Sequence, residues 1–417
     1  DYIMSGKYVP DAFTPSNELW GEMVKSSGVK TQLVSKRLVG NVPGIVIKKS
    51  KYDALVEKYG SINVKTVTDA IASNELVMGY TDPFASSTGL NFLVTSLNTF
   101  DSSNILSDKA VQGFEKFQAN VPFIASTTIQ MRDAATSGSL DGFILEYQTF
   151  VNAPDLKSGY VFTPFGVRHD SPLYALGDTK PEKLAILKKF AEFVTQAKYV
   201  KAAKDKGFNG LEDYKSEMAP IDGKLLTSAQ KVWKEKKNGS KPIVAVFVAD
   251  TSGSMDGEPL NRLKESLIKG QKYLGKDNSI GMVSYSDDVT IQLPIGKYDV
   301  NQQSMFVGAV NSLQASGQTA TFDGIVVALK MLQDQLAADP NMKPVIFVLS
   351  DGETNKGNSL SDIKGLIENY KVPIYTIGYN ANIKALQSIS SINEAASINA
   401  DTDDVVYKIG NLFNVQM

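Results

Sequence analysis

The chain has 417 residues, 42% of them hydrophobic, with 43 Lys and Arg against 45 Asp and Glu, one His and no Cys. At about 150 residues per domain this length predicts two or three domains, each able to bury its own core, and excludes disorder of the whole chain. A net charge of −2 without a basic block excludes groove binding of nucleic acid, and the missing thiols exclude disulfides, thiol nucleophiles, iron–sulfur clusters and thiolate zinc sites.

No charged-then-apolar leader opens the chain, so it reads as a soluble, already processed piece. Pro15-Ser16-Asn17-Glu18-Leu19-Trp20 has the pattern of a helix start. Leu76-Val77-Met78-Gly79-Tyr80 reads as a strand, and Thr81, Ser86, Ser87 and Thr88 then place hydroxyls just before a helix opened by Gly89-Leu90-Asn91-Phe92-Leu93. Helix starts present unpaired N–H groups and a positive dipole end, so both stretches are candidate anion sites; each is equally readable as an ordinary N-cap. His169, between Arg168 and Asp170, is expected at the surface or a lobe contact. Residues 183–201 predict a long amphipathic helix with Leu184, Leu187, Phe190 and Phe193 on one face.

The charged run from Val232 to Pro242 ends in turn residues and reads as a solvated connection, with Trp233 packing the connecting helix on a domain. The expected division is a first domain over 1–232, a linker over 233–241 and a second domain over 242–417. Charge divides unevenly about that connection: residues 241–417 hold 14 Lys and Arg against 19 Asp and Glu, residues 1–240 hold 29 against 26.

In the second part Ile243 to Ala249 is a continuous, largely β-branched run of the kind buried on both faces, repeated at Val345 to Leu349 and followed by Pro373 to Gly378. The whole apolar run from Pro242 to Ala249 is far below the roughly 18 residues that cross a bilayer. Helical spacing over 260–274, 322–336 and 360–370 alternates with these strands, which predicts an α/β fold: a doubly wound parallel sheet with helices on both faces and a ligand crevice at the carboxyl ends of the strands.

Asp250-Thr251-Ser252-Gly253-Ser254 stands at such a strand end, Gly317-Gln318-Thr319 precedes a helix, and Ser350-Asp351-Gly352-Glu353 follows the second buried strand. Asp250, Ser252, Ser254, Thr319 and Asp351 therefore converge as an oxygen-only set. Such a set suits a hard cation, Mg²⁺ first, with Ca²⁺ or Mn²⁺ able to substitute. Helix capping by Asp250 and Ser252 is the plainer reading, but it explains neither Thr319 nor Asp351. An EF-hand fails because Met255 stands where the loop needs Gly, and a nucleophilic Ser252 or Ser254 lacks a base nearby. Asp287-Asp288 and the run Asp401 to Asp404 read as surface carboxylates or extra calcium ligands, and Glu353 as a loop residue or a tuner of the site's charge.

Position by position these five residues resemble the metal-ion-dependent adhesion site (MIDAS) of von Willebrand factor type A (vWA) domains, over about two-fifths of the chain. The resemblance implies a Rossmann-like fold in which Ser252, Ser254 and Thr319 coordinate the ion directly while Asp250 and Asp351 act largely through water. It further implies an open position for a carboxylate of a protein partner, and no catalysis.

The first part resembles bacterial extracellular solute-binding proteins of the type II periplasmic-binding-protein fold. The likeness runs from the two helix starts through Leu140-Asp141-Gly142 with Glu146-Tyr147, Tyr160 to Pro164, Ser171 to Leu176 and the helix ending Lys206-Gly207-Phe208. It implies two α/β lobes closing on a small solute, with Ser16, Asn17, Ser86, Ser87, Glu146 and Tyr147 lining the cleft. Members normally begin with further strand–helix units, so the first lobe is expected to lack its amino-terminal part.

Together these readings predict a non-enzymatic, exported or cell-surface bacterial protein, lipid-anchored through a precursor segment in one version, that grips acidic groups of a protein partner through its metal and carries a solute-binding-like module. One alternative is the receptor of an ABC-type importer with the vWA domain as accessory. A further alternative is an intracellular vWA assembly factor.

Overall fold

The computed structural model describes residues 3–6, 8–125, 127–129, 131–132, 140–216, 218–238, 241–352, 354–370, 372–379, 383–390, 397–399 and 412–413. Glu353 and Asp401 to Asp404 lie outside them. The chain divides into two compact units whose boundary falls between residues 239 and 240.

The first unit runs β1 (Ala12–Phe13), α1 (Glu18–Ser26), β2 (Thr31–Ser35), β3 (Pro43–Lys48), α2 (Lys49–Tyr59), α3 (Val64–Ala72), β4 (Tyr80–Thr81), α4 (Ser87–Phe100) and α5 (Asp108–Gln118). It continues with β5 (Ile124–Ala125), β6 (Gly142–Glu146), α6 (Tyr147–Val151), α7 (Pro154–Gly159), β7 (Tyr160–Pro164), β8 (Leu173–Leu176), α8 (Pro181–Val194), α9 (Ala197–Asp205) and α10 (Gly223–Lys236). Its strands form small sheets, β1-β8-β2, β6-β3-β7 and the pair β4-β5.

Helix α4 is the centre of this unit. Leu90, Phe92, Leu93, Val94 and Leu97 are all buried, each contributing roughly 1.5–3 kcal/mol. Ser86 caps it by accepting from the Gly89 N–H at 3.2 Å, and Gly89 has no substitute because a Cβ there would collide with the Thr81 carbonyl.

Two expectations need correction. Residues 233–237 are not a solvated linker: Leu226, Ala229, Gln230, Trp233 and Lys237 recur at helical spacing and are buried, while the intervening charges take the other face. Trp233 donates to the Tyr80 hydroxyl at 2.6 Å, Tyr80 donates to Gln118 at 2.5 Å, and Gln118 donates to the Lys237 carbonyl at 2.8 Å. The charge count hid this stripe because it is only one residue wide. In α8, Leu184, Leu187, Ala191 and Val194 form the half-buried stripe toward β2 and β8, whereas Phe190 and Phe193 stay 46% and 49% exposed. The three-stranded sheet covers one stripe of that helix and not two.

The second unit is one six-stranded sheet in the order β11-β10-β9-β12-β13-β14. Its elements are β9 (Ile243–Asp250), α11 (Glu258–Gly270), β10 (Ser279–Tyr285), β11 (Val289–Lys297), α12 (Val300–Ser312), α13 (Thr321–Ala338), β12 (Lys343–Ser350), α14 (Leu360–Tyr370), β13 (Ile374–Gly378), α15 (Ile383–Ser390) and β14 (Ser397–Asn399). All pairings are parallel except the β10–β11 hairpin. Successive side chains of a strand point to opposite faces, so Ala245, Phe247 and Ala249 pack with α11 and α12 while Val244, Val246 and Val248 pack with α13 and α14. The predicted doubly wound sheet is thus present. Its register sets Asp250 beside Tyr285 and Leu349 beside Ala249, which leaves Asp250, Tyr285 and Ser350 side by side at the carboxyl edge.

Candidate functional site

Three loops meet at that edge. The first follows β9 and holds Asp250, Ser252 and Ser254; the second precedes α13 and holds Thr319; the third follows β12 and holds Asp351. Backbone bonds tie the first two, Gly253 N–H to the Gly317 carbonyl at 2.9 Å and Ser316 N–H to the Thr251 carbonyl at 2.8 Å. Gly317 is needed for two reasons: its φ is +75°, and a Cβ would strike the Asp287 carboxylate.

The side chains of Asp250, Ser252, Ser254 and Asp351 then form one connected set. Asp250 is fully buried and accepts from the Ser252 N–H at 2.8 Å and from the Ser350 hydroxyl at 2.6 Å. The Ser252 and Ser254 hydroxyl oxygens are 3.1 Å apart, and Ser254 donates to Asp351 at 3.1 Å. Burial raises the carboxyl of Asp250 above its ordinary range. Burial raises Asp351 as well, followed by the charge of Asp250. Two carboxylates thus face each other in a desolvated pocket edge with hydroxyls between them. That is a donor set which fits a hard cation, because a positive ion would offset the desolvation that raises both groups and the charge of Asp250 that adds to it at Asp351. Among the described residues no cluster of three His, Cys, Asp or Glu side chains is placed to hold a metal. This site offers two carboxylates plus neutral hydroxyls instead.

Sequence reasoning missed three residues here. Ser350 holds Asp250 in place, and its position immediately before Asp351 at a strand end was the available signal. Tyr285 is buried against Asp250, whose charge adds to burial in pushing the phenol far up. Asn355 is the third. Its side chain accepts the Thr319 N–H at 2.8 Å, while the Thr319 carbonyl accepts the N–H groups of Asn355 at 3.1 Å and Lys356 at 3.3 Å. Thr319 is therefore clamped on both backbone faces by the third loop. Asp287 pairs with Lys356 at 2.9 Å, which holds its carboxyl below the ordinary range.

The residues expected to line a solute cleft are bonded chiefly to neighbours within the first unit. The Asn17 amide donates to the Ser87 carbonyl at 3.3 Å, and Trp20 donates to the Ser87 hydroxyl at 2.8 Å. Ser86 is a helix cap that also accepts from Thr81 at 2.8 Å. Glu146 accepts from Thr88 at 2.5 Å and from Thr128 at 2.8 Å. The Tyr147 ring meets Phe162 edge-on, centroids 5.4 Å apart. Ser16 is exposed, with its carbonyl accepting from Ser171 at 3.0 Å. The starts of α1 and α4 adjoin, and most of their polar groups are paired within the unit, but the Asn17 Oδ1 and Asp82 Oδ2 atoms are buried without a partner among the described residues. His169 is not at the surface: it is buried beside Asn91, and burial lowers it to about 4, so the ring is neutral at pH 7.

A family model described as bacterial extracellular solute-binding protein matches residues 1–209. The chain belongs to that family. A second model, von Willebrand factor type A domain, matches residues 245–412, so the C-terminal unit is a vWA domain. Among characterised relatives, inter-alpha-trypsin inhibitor heavy chain H3 of Bos taurus is 28% identical over 177 residues, 39% of this chain and 20% of that protein. A protein of Synechocystis sp. is 25% identical over 163 residues, 39% of this chain and 38% of that protein. The chain thus spans about a fifth to two-fifths of these relatives' own length. Solved structures similar to it include a von Willebrand factor type A protein from Catenulispora acidiphila, at TM-score 0.39 and 17% identity over 42% of each chain. BatB from Bacteroides thetaiotaomicron follows at TM-score 0.35 and 16% identity over 40% of this chain and 96% of that one. No described helix of the solute-binding module or the vWA domain is long and apolar enough to cross a membrane.

Proposed function

We propose that the vWA domain holds a divalent cation, Mg²⁺ first, at Asp250, Ser252, Ser254, Thr319 and Asp351, and uses it to grip a carboxylate of a protein partner outside the cell or at its surface. The observation that carries this reading is the pair of facing carboxylates, both displaced upward by burial, with hydroxyls from the first loop bridging them. The bound ion would supply positive charge and an open position for an acidic group. Ser252, Ser254 and Thr319 would present neutral oxygens to it, and Asp250 and Asp351 would orient those hydroxyls and hold water. Neutral direct ligands leave the ion electron-poor, which favours capture of an external carboxylate. In this reading the carboxylates beside Ser252 and Ser254 serve the cation, and the function is binding without catalysis.

Titration calorimetry of the full chain with Mg²⁺ tests this. One site that disappears in Asp250→Ala is the expected result; unchanged affinity in that variant overturns the assignment. A second reading, a solute receptor of an importer with the vWA domain as accessory, draws support from the solute-binding family match over residues 1–209. It is weakened by the bonds that Ser86, Ser87 and Glu146 already make within the unit, to Thr81, Trp20, Thr88 and Thr128.

A further inference from the structure

The first unit contains a cavity of about 430 Å³, walled by the start of α1, by β2 and the residue pair after it, by the 167–174 segment, and by residues 214–216 and 218–220. Its volume falls in the roughly 300–1,000 Å³ range of small-molecule sites. The last wall lies beyond residue 209, where the match to the solute-binding family ends, and Ser16, Asn17, Ser86, Ser87, Glu146 and Tyr147 are not part of its lining.

The charges in this cavity are incompletely paired. Asp170 is taken by Arg168 at 3.1 Å and Arg37 at 3.4 Å. Glu18, Lys36 and Lys215 line the same space; all three are exposed to solvent and, beyond the attraction between Glu18 and Lys36, none has a hydrogen-bond or ion-pair partner among the described residues. Arg168 gives one Nη to the Leu211 carbonyl at 2.6 Å, while its other Nη is buried without a partner. Around Glu18 stand Glu22 and Asp170, which together with burial raise its carboxyl, against the opposing pull of Lys36. Leu33, Val167 and Met218 supply apolar surface.

The backbone beside the cavity is strained. Ser171, Asn209 and Leu211 adopt φ of 44°, 52° and 49°, three of the four positive-φ non-glycine residues described. Left-handed backbone at a leucine persists only where its surroundings hold it, and such strain gathers at ligand clamps. Here Leu211 is held by Arg168 and Asn209 by Gly40 and Arg37.

We propose that this cavity binds a small zwitterion of the α-amino-acid type, its ammonium group at Glu18 and its carboxylate at Lys36 and Lys215. The chemistry selects against the simpler ligands. A plain oxyanion would add negative charge beside Glu18, Glu22 and Asp170, and a plain amine would add positive charge beside Lys36 and Lys215. A ligand with both poles and a short apolar body matches the two unpaired signs and the wall between them. This inference concerns a different unit from the metal site and stands or falls apart from it.

Thermal-shift and calorimetric titration of the full chain with the free L-amino acids tests it. The expected result is stabilisation by at least one of them, abolished by acetylating its amino group or amidating its carboxyl group. Glu18→Gln and the pair Lys36→Met with Lys215→Met should each weaken binding tenfold or more, while Ser87→Ala leaves it unchanged. Absence of binding by the whole panel overturns the proposal, as does binding indifferent to both sets of variants. Stabilisation by sulfate or phosphate that Ser87→Ala removes would overturn it in favour of the paired helix starts.

Discussion

The two units carry polar clusters of similar composition in different states. At the starts of α1 and α4, Asn17, Ser86, Ser87, Thr88 and Glu146 are joined by hydrogen bonds to other side chains and backbone of the same unit, with Asn17 Oδ1 the one oxygen of theirs buried without a partner among the described residues. At the carboxyl edge of the vWA sheet, Asp250 and Asp351 are both raised by burial, Asp351 also by the charge of Asp250, and the buried Tyr285 phenol adjoins Asp250. The same hydroxyls and carboxylates mean different things in the two places. A satisfied cluster stabilises its own fold, whereas a convergent cluster with surplus charge is poised for something else. Only the second kind supports a binding site.

The contrast can be broken experimentally. The largest effect is expected at Asp250: its alanine variant should lose Mg²⁺ affinity by about 100-fold or more in calorimetry, while Ser87→Ala, on the satisfied side, leaves Mg²⁺ binding as it was. Next comes Trp233→Ala. Removing this buried indole should cost about 3–5 kcal/mol, read by chemical denaturation as loss of the first unit alone, with the Mg²⁺ site intact. An unaltered denaturation midpoint would return residues 233–237 to a linker.

Asn355→Ala should weaken Mg²⁺ by about tenfold with the unfolding temperature of the metal-free protein unchanged, because it frees the Thr319 loop without touching the core. Asn355→Asp keeps an acceptor for the Thr319 N–H and should retain binding. Equal losses in both variants would show that the clamp is not what matters.

The smallest effect is a pH dependence in the first unit. Asp82 is buried, with one carboxylate oxygen unpartnered, and burial raises it from 3.8 to about 7. The folded state thus holds this proton more tightly than the unfolded chain, so Asp82 contributes stability at low pH that is lost as pH rises from about 4 to 7. His169 works in the other direction: burial lowers it from 6.5 to about 4, so its contribution is present above the unfolded value and lost as pH falls through that window. Asp82→Asn should remove only the first effect. Denaturation at pH 4, 5.5 and 7 should show the variant gaining on the native protein as pH rises, and a constant difference would exclude Asp82 as the cause.

Much of the vWA site was legible in the sequence because its elements are local. Asp250 and Asp351 each follow a buried apolar run, and a parallel strand buried on both faces delivers the residue after it to the crevice. Asn355 was not legible, since nothing local says that a side chain four residues beyond Asp351 will reach back to Thr319, 36 positions away. The α8 stripe went wrong for the same reason: a helical period shows that apolar residues share a face, not which face meets a partner.

By itself, the sequence determined the doubly wound sheet, the placement of Asp250 and Asp351 at strand ends and the absence of thiols, all of which follow from period, strand ends and composition. Tertiary structure alone decided that the basic run after Trp233 belongs to the first unit, that the hydroxyls of the helix starts are engaged with one another, and that Glu18, Lys36 and Lys215 share one cavity. The division has a physical cause. Strand and helix patterns are set by neighbours a few residues apart, whereas whether a polar group is satisfied depends on partners such as Ser87 for Asn17 or Tyr80 for Trp233, 70 and 153 residues distant.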